Sequence, residues 1–165
     1  MDSLNDAVRD YTYQLMNGSL QHAYGGIMTS LTTFGRYFSN RNPTCKVGAL
    51  YQGYMDMTYI PLIPLGYRER GLKIAVVYIH GKGRFEVWLS AVNKKVGRTY
   101  AEVLAQKDLF IYTLNPPGLG IDSIVEMVLE DSPNFDHLES LMEKLESGTV
   151  SFILSLNSFL EIETE

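Results

Sequence analysis

The sequence predicts an α+β domain: an antiparallel sheet of about four strands, a meander plus one, covered by helices, with two N-terminal helices and a helical C-terminal segment. Three observations predict it. Apolar residues recur at helical spacing over 4–38, form a short strand-like run over 72–80 that is followed by alternation over 84–92, and recur at helical spacing again after 136. A length of 165 residues suits one domain, so 1–165 is read as a single α+β unit.

Residues 4–16 place Leu4, Ala7, Val8, Tyr11 and Leu15 on one helical face, and Asn17-Gly18 ends that helix. Ser19 is read as the cap of a second helix, with Leu20, Ala23, Tyr24, Ile27, Leu31, Phe34 and Phe38 as its buried stripe. Gly25-Gly26 weakens it by about 1 kcal/mol per glycine, and Asn42-Pro43 stops it. Residues 48–60 read as a strand that Pro61 and Pro64 terminate. Residues 72–80 form the strongest strand, Gly81-Lys82-Gly83 a three-residue hairpin loop, and 84–92 the return strand. Asn93 caps a helix carrying Val96, Tyr100, Val103 and Leu104, and 109–114 follow as a fourth strand closed by Asn115-Pro116-Pro117-Gly118. Ser123 and Glu126 resemble a capping box, which reads 123–130 as a helix, with a strand as the alternative. Two last helices are expected, one from Asp136 to about Ser147-Gly148 and one over about 149–161.

Composition narrows the class. Apolar residues are 45% and charged residues 20%, which is neither disordered nor fibrous. No stretch approaches the roughly 18 apolar residues of a membrane span, and Met1–Asp6 lacks the basic start of a signal peptide, so a cytoplasmic protein without membrane contact is expected. A lone cysteine, Cys45, excludes an internal disulfide and a multi-cysteine zinc site. His22, His80 and His137 are dispersed, so neither a metal nor a cofactor is expected. Gly118-Leu119-Gly120 begins like a dinucleotide loop but lacks the third glycine and a preceding crossover unit.

Charge is uneven. Residues 1–115 hold 13 Lys/Arg against 8 Asp/Glu, whereas 116–165 hold Lys144 against 11 acids. The acidic helices either neutralise the basic sheet edge or form a surface for a basic protein partner. A net charge of −5 speaks against nucleic acid.

Tyr51–Tyr59, Leu72–Val77 and Arg84–Lys94, with Asp122-Ser123-Ile124 and Glu146–Thr149, resemble a family of uncharacterised bacterial proteins of similar length. The resemblance implies a single stand-alone domain in bacteria and carries no activity.

Side chains two apart on a strand share a face. With a three-residue hairpin loop, His80 stands opposite Arg84, and Val76, Tyr78 and His80 join Arg84, Glu86, Trp88 and Ser90 on one polar face. Ala75, Val77, Ile79, Phe85, Val87 and Leu89 then form the face that meets the helices. The expected site is a pocket of Tyr54, Asp56, Tyr78, His80, Arg84, Glu86 and Trp88, binding a small ligand or a partner protein without catalysis. Whether Asp56 joins depends on a register that the sequence leaves open. The alternative is a magnesium-dependent nuclease or phosphodiesterase of restriction-endonuclease-like fold, with Asp56 and Glu86 as metal ligands and Lys94 beside the phosphate. Trp88 stands where that motif carries lysine. A second alternative is an acidic immunity-type interaction protein presenting 122–146.

Overall fold

The structure, a computed structural model, describes residues 3–116, 118 and 122–163. Four helices, α1 (Leu4–Leu15), α2 (Ser19–Arg41), α3 (Lys94–Ala105) and α4 (Leu138–Leu160), accompany a sheet of β1 (Lys46–Val47), β2 (Met57–Ile63), β3 (Leu72–Ile79), β4 (Arg84–Ala91), β5 (Thr113–Leu114) and β6 (Val125–Glu130). The strand order is β1-β2-β3-β4-β6-β5 and every pairing is antiparallel. The α+β class and the meander are as the sequence predicts; the sheet is two strands wider.

Ser3 and Asp6 make a reciprocal capping box for α1. Its stripe, read from the sequence as a packing face, buries no residue. The cap of α2 is Gly18 in the left-handed region (φ 75°), with Ser19 as the first helical residue. The helix runs unbroken through Gly25-Gly26 and buries Leu31, Phe34 and Phe38 in its second half.

β2 starts at Met57 and passes through Pro61, against the expected end there. The reason lies in ladder geometry. A residue's N–H and C=O point to the same neighbour in an antiparallel ladder. The Pro61 carbonyl accepts the Gly48 N–H at 2.9 Å, so the missing donor of Pro61 faces Gly48 at the sheet's edge, and the pairing with β3 is undisturbed. A Cβ on Gly48 would stand 2.6 Å from Pro61 Cγ, so only glycine lets these backbones approach. Residues 48–56, read as strand, form a loop tied to β2 by the Gly48 bond to Pro61, by the Tyr51–Tyr59 bridge, and by Thr58 Oγ1, which donates to the Gln52 carbonyl at 2.7 Å.

Residues 123–130 are strand, not helix. Val125 and Leu129 are buried while Glu126, Val128 and Glu130 are more exposed, a period of two. Ser123 and Glu126 do meet, but Ser123 Oγ donates to the Glu126 carboxylate at 2.7 Å instead of capping a helix. The predicted strand over 109–114 shrinks to Thr113–Leu114: Asp108 Oδ1 accepts the Phe110 N–H at 3.2 Å, Phe110 takes a left-handed conformation (φ 54°), and the chain turns. The two predicted terminal helices are one, α4. Gly148 marks a close approach and not a helix end, since a Cβ there would stand 2.6 Å from Leu129 Cδ2.

The core joins Leu31, Phe34 and Phe38 of α2, Leu104 of α3, and Leu145, Phe152 and Leu156 of α4 to one sheet face: Ile60 and Leu62, Ile74 and Val76, and Phe85, Val87 and Leu89. The opposite face carries Met57 and Tyr59 of β2, Lys73, Ala75, Val77 and Ile79 of β3, and Arg84, Glu86, Trp88 and Ser90 of β4. None of these belongs to that core.

Candidate functional site

The β3–β4 turn decides which side chains meet. Ile79 pairs with Arg84, so the connection is four residues, His80–Gly83, with Gly83 left-handed (φ 64°) and its N–H on the Ile79 carbonyl at 2.8 Å. The three-residue loop read from the sequence is one residue short. A shift of one residue moves a whole strand's side chains to the other face. Tyr78 and His80 therefore lie on the helix side, and Ala75, Val77 and Ile79, expected against the helices, share the second face with Glu86 and Trp88.

Arg84, Glu86 and Trp88 are brought together as expected. Glu86 is 2% exposed and both its oxygens are occupied: Oε1 accepts Arg84 Nε at 2.8 Å and Oε2 accepts the Trp88 indole N–H at 2.8 Å. Arg84 also reaches Asp131 at 3.4 Å. The Glu86 hydrogen bond is the first cause that holds the Arg84 guanidinium pKa above its ordinary value. A buried carboxylate is stable only when paired and hydrogen-bonded in this way.

The other expected members are elsewhere. Tyr54 is 88% exposed in the 48–56 loop. Asp56 Oδ1 accepts the backbone N–H groups of Tyr54 (3.0 Å) and Met57 (2.7 Å), which lowers its pKa and fixes the loop. Asp56 sits two strands across and three residues along from Glu86, roughly 14 Å on ordinary strand spacing. Lys94 follows the far end of β4, five strand residues (roughly 17 Å) and a turn from Glu86. His80 Nε2 contacts Thr58 Oγ1 at 2.8 Å, and its ring stacks on Tyr24 of α2 (5.5 Å) and meets the edge of Tyr78 (5.2 Å). Among the described residues no three His, Cys, Asp or Glu side chains form a metal-holding group. Cys45 is buried, which pushes its thiol up to about 11.

Beside the Arg84–Glu86–Trp88 group the second face sinks into a hollow of about 260 Å³. Tyr51, Tyr59 and Trp88 give it aromatic walls, and Lys73, Ser90 and Asp122 give it polar groups. The Tyr51 and Tyr59 rings stack at 4.8 Å, held by their two reciprocal backbone hydrogen bonds of 2.8 and 2.9 Å. Lys73 Nζ lies 5.7 Å from the Tyr59 ring centre. Among the described residues neither Lys73 nor Asp122 makes an ion pair. Burial first, then the Tyr51 hydroxyl and the Asp122 charge, raise the Tyr59 pKa. Asn115 donates to both Ser123 (2.5 Å) and Glu126 (2.8 Å), and Glu126 pairs across from Trp88.

Of the hollow, the sequence reading named only Trp88 as a site residue and placed Ser90 on its face. Tyr51, Tyr59, Lys73 and Asp122 were missed. One signal was present: Lys73 is the sole charged side chain in 72–79, and a charge inside a strand marks its outward phase. The Gly118-Leu119-Gly120 motif lies in part outside the described residues.

These features define a helix-backed α+β domain with an aromatic hollow on the other face of its sheet. Among the described residues no helix is long and apolar enough to cross a membrane. The chain belongs to the DUF7000 family, a domain of unknown function whose model matches residues 4–160. No curated protein and no solved structure matches it.

Proposed function

We propose that this chain is a non-catalytic binding domain whose second sheet face takes a small ligand, one with a flat ring for Tyr51, Tyr59 and Trp88 and an anionic group for Lys73. The hollow carries this reading: a cation without an ion-pair partner among the described residues stands among three aromatic side chains on a sheet face outside the helix-backed core. Aromatic walls with a few convergent polar groups are the ordinary make-up of a small-molecule pocket. The neighbouring Glu86, tied to Arg84 and Trp88, holds the indole in place before any ligand arrives. The acidic-surface reading has less behind it, because Glu126, Glu130 and Glu146 are engaged within the chain by Ser123, Lys144 and Arg41.

The test uses the single tryptophan. Trp88 emission is followed during titration with a panel of aromatic carboxylates and nucleoside monophosphates. A saturable change with at least one compound, lost in Lys73→Ala and in Tyr59→Ala, supports the reading. A flat response across the panel, with an unmoved melting temperature, removes it.

A further inference from the structure

Among the described residues little covers the apolar face of the N-terminal helical hairpin at its α1 end. α1 buries no residue, and Leu4, Val8 and Tyr11 of its stripe are all more than half exposed. A helix of 12 residues is marginal in water by itself and draws its stability from packing an apolar face. The first half of α2 repeats the situation. Leu20, Tyr24 and Ile27 lie on the same helical face as Leu31, Phe34 and Phe38; the last three are buried in the core, Ile27 packs partly against it, and Leu20 is exposed. Tyr24 meets the sheet at its margin, against His80 just past β3. The stripe therefore thins out of the core towards its N-terminal end, where Leu20 is exposed.

Charge selects the occupant. Residues 11–35 contain no Asp, Glu, Lys or Arg, between Asp10 and Arg36, in a chain that is 20% charged. A nucleic acid or an anionic membrane needs cations on the surface that meets it, and a steered protein partner needs complementary charge. A two-fold contact instead sets a patch against itself, so any charge there faces its own copy. Asp6, Arg9 and Asp10 of α1 stand off the Leu4–Val8–Tyr11 face, and for a chain of net charge −5 an uncharged face is where two copies meet with least repulsion. The area is of the right order. Leu4, Val8, Tyr11 and Leu20, with Met16 at the turn between the helices, are 42–80% exposed. At about 200 Å² per large side chain they offer roughly 600 Å², against the roughly 800 Å² each partner buries in a standard specific interface.

We propose that the α1–α2 hairpin is the interface between two copies of this chain, paired about a two-fold axis into a bundle of four helices. The assignment is independent of the hollow on the sheet. It is tested on the full chain by light scattering coupled to size exclusion. The expected mass is twice 18.6 kDa, falling to the single-chain value in Val8→Glu/Tyr11→Glu. Both side chains are exposed in the single chain, so Trp88 emission should be unchanged in the variant while its helical circular dichroism falls. Dilution of the unaltered protein should lose the same helical signal as the mass halves, which gives a readout free of substitution. A single-chain mass at the highest soluble concentration overturns the proposal, as does a double variant that still runs at twice the chain mass.

Discussion

Glu86 accepts the indole N–H of Trp88, two residues further along the same strand, with its second oxygen while the first holds Arg84. Residues i and i+2 share a face, so strand geometry alone lines up cation, carboxylate and indole at 84, 86 and 88. The carboxylate is 2% exposed, so it depends on both partners.

Removing Arg84 is therefore worse than removing the pair. Arg84→Ala leaves a buried carboxylate with only the indole and Lys82, 3.9 Å away, and should lower stability by about 3 kcal/mol. Arg84→Ala/Glu86→Leu should be less destabilised than Arg84→Ala, in urea melts at neutral pH. Equal or greater loss in the double variant would contradict this account of the group.

Gly48→Ala puts a Cβ 2.6 Å from Pro61 Cγ, in a ring that cannot rotate away. A loss of about 1–3 kcal/mol is expected, as for other overpacked sites. A melting temperature equal to that of the unaltered protein would show that this edge can part without cost.

His80 gives the fold a pH dependence of definite sign. Burial lowers its pKa, with the Asp56 charge opposing. The unfolded chain then binds the proton more readily than the folded one, so stability is full above the unfolded value of about 6.5 and falls as pH drops from there towards the lower folded value. Thermal melts between pH 7.5 and pH 5 (roughly one unit or more either side of that value) should show the decline, and His80→Gln should flatten it. An unchanged slope in the variant would place the effect on another group.

Cys45, with its thiol pushed up to about 11, should resist alkylation in the native protein at pH 8, where only about a thousandth is thiolate. Denaturant should release it. Rapid labelling of the folded chain would contradict the burial of that side chain.

The fold was legible where period and punctuation agree. β3 is a short apolar run and β4 alternates apolar with polar residues up to Trp88, Asn93 Oδ1 caps α3 on the Val96 N–H at 2.9 Å, and the α+β class follows from these segments. It was not legible where one residue carries two meanings. Gly148 stops a helix in most settings and here admits Leu129; Pro61 ends most strands and here turns its absent donor to an edge. Ser123 and Glu126 have the spacing of a helix cap, which local pattern cannot separate from a strand pair joined through side chains. The site was legible only within β4, because Arg84, Glu86 and Trp88 owe their meeting to one strand. Everything that crossed to β3 depended on the turn, and the fourth loop residue moved Tyr78 and His80 to the far side. Tyr51, Tyr59 and Asp122 come from three separate stretches, which no spacing rule connects.

The outer strands of the sheet, β1 and β5, are two residues each, and the one neighbouring residue that continues β1 meets a proline. An incoming strand finds few free amides to grip on β1 or on β5. Sideways growth into fibrils, a hazard for any antiparallel sheet of this width, is thereby discouraged at the level of the backbone, whatever the side chains on its faces bind.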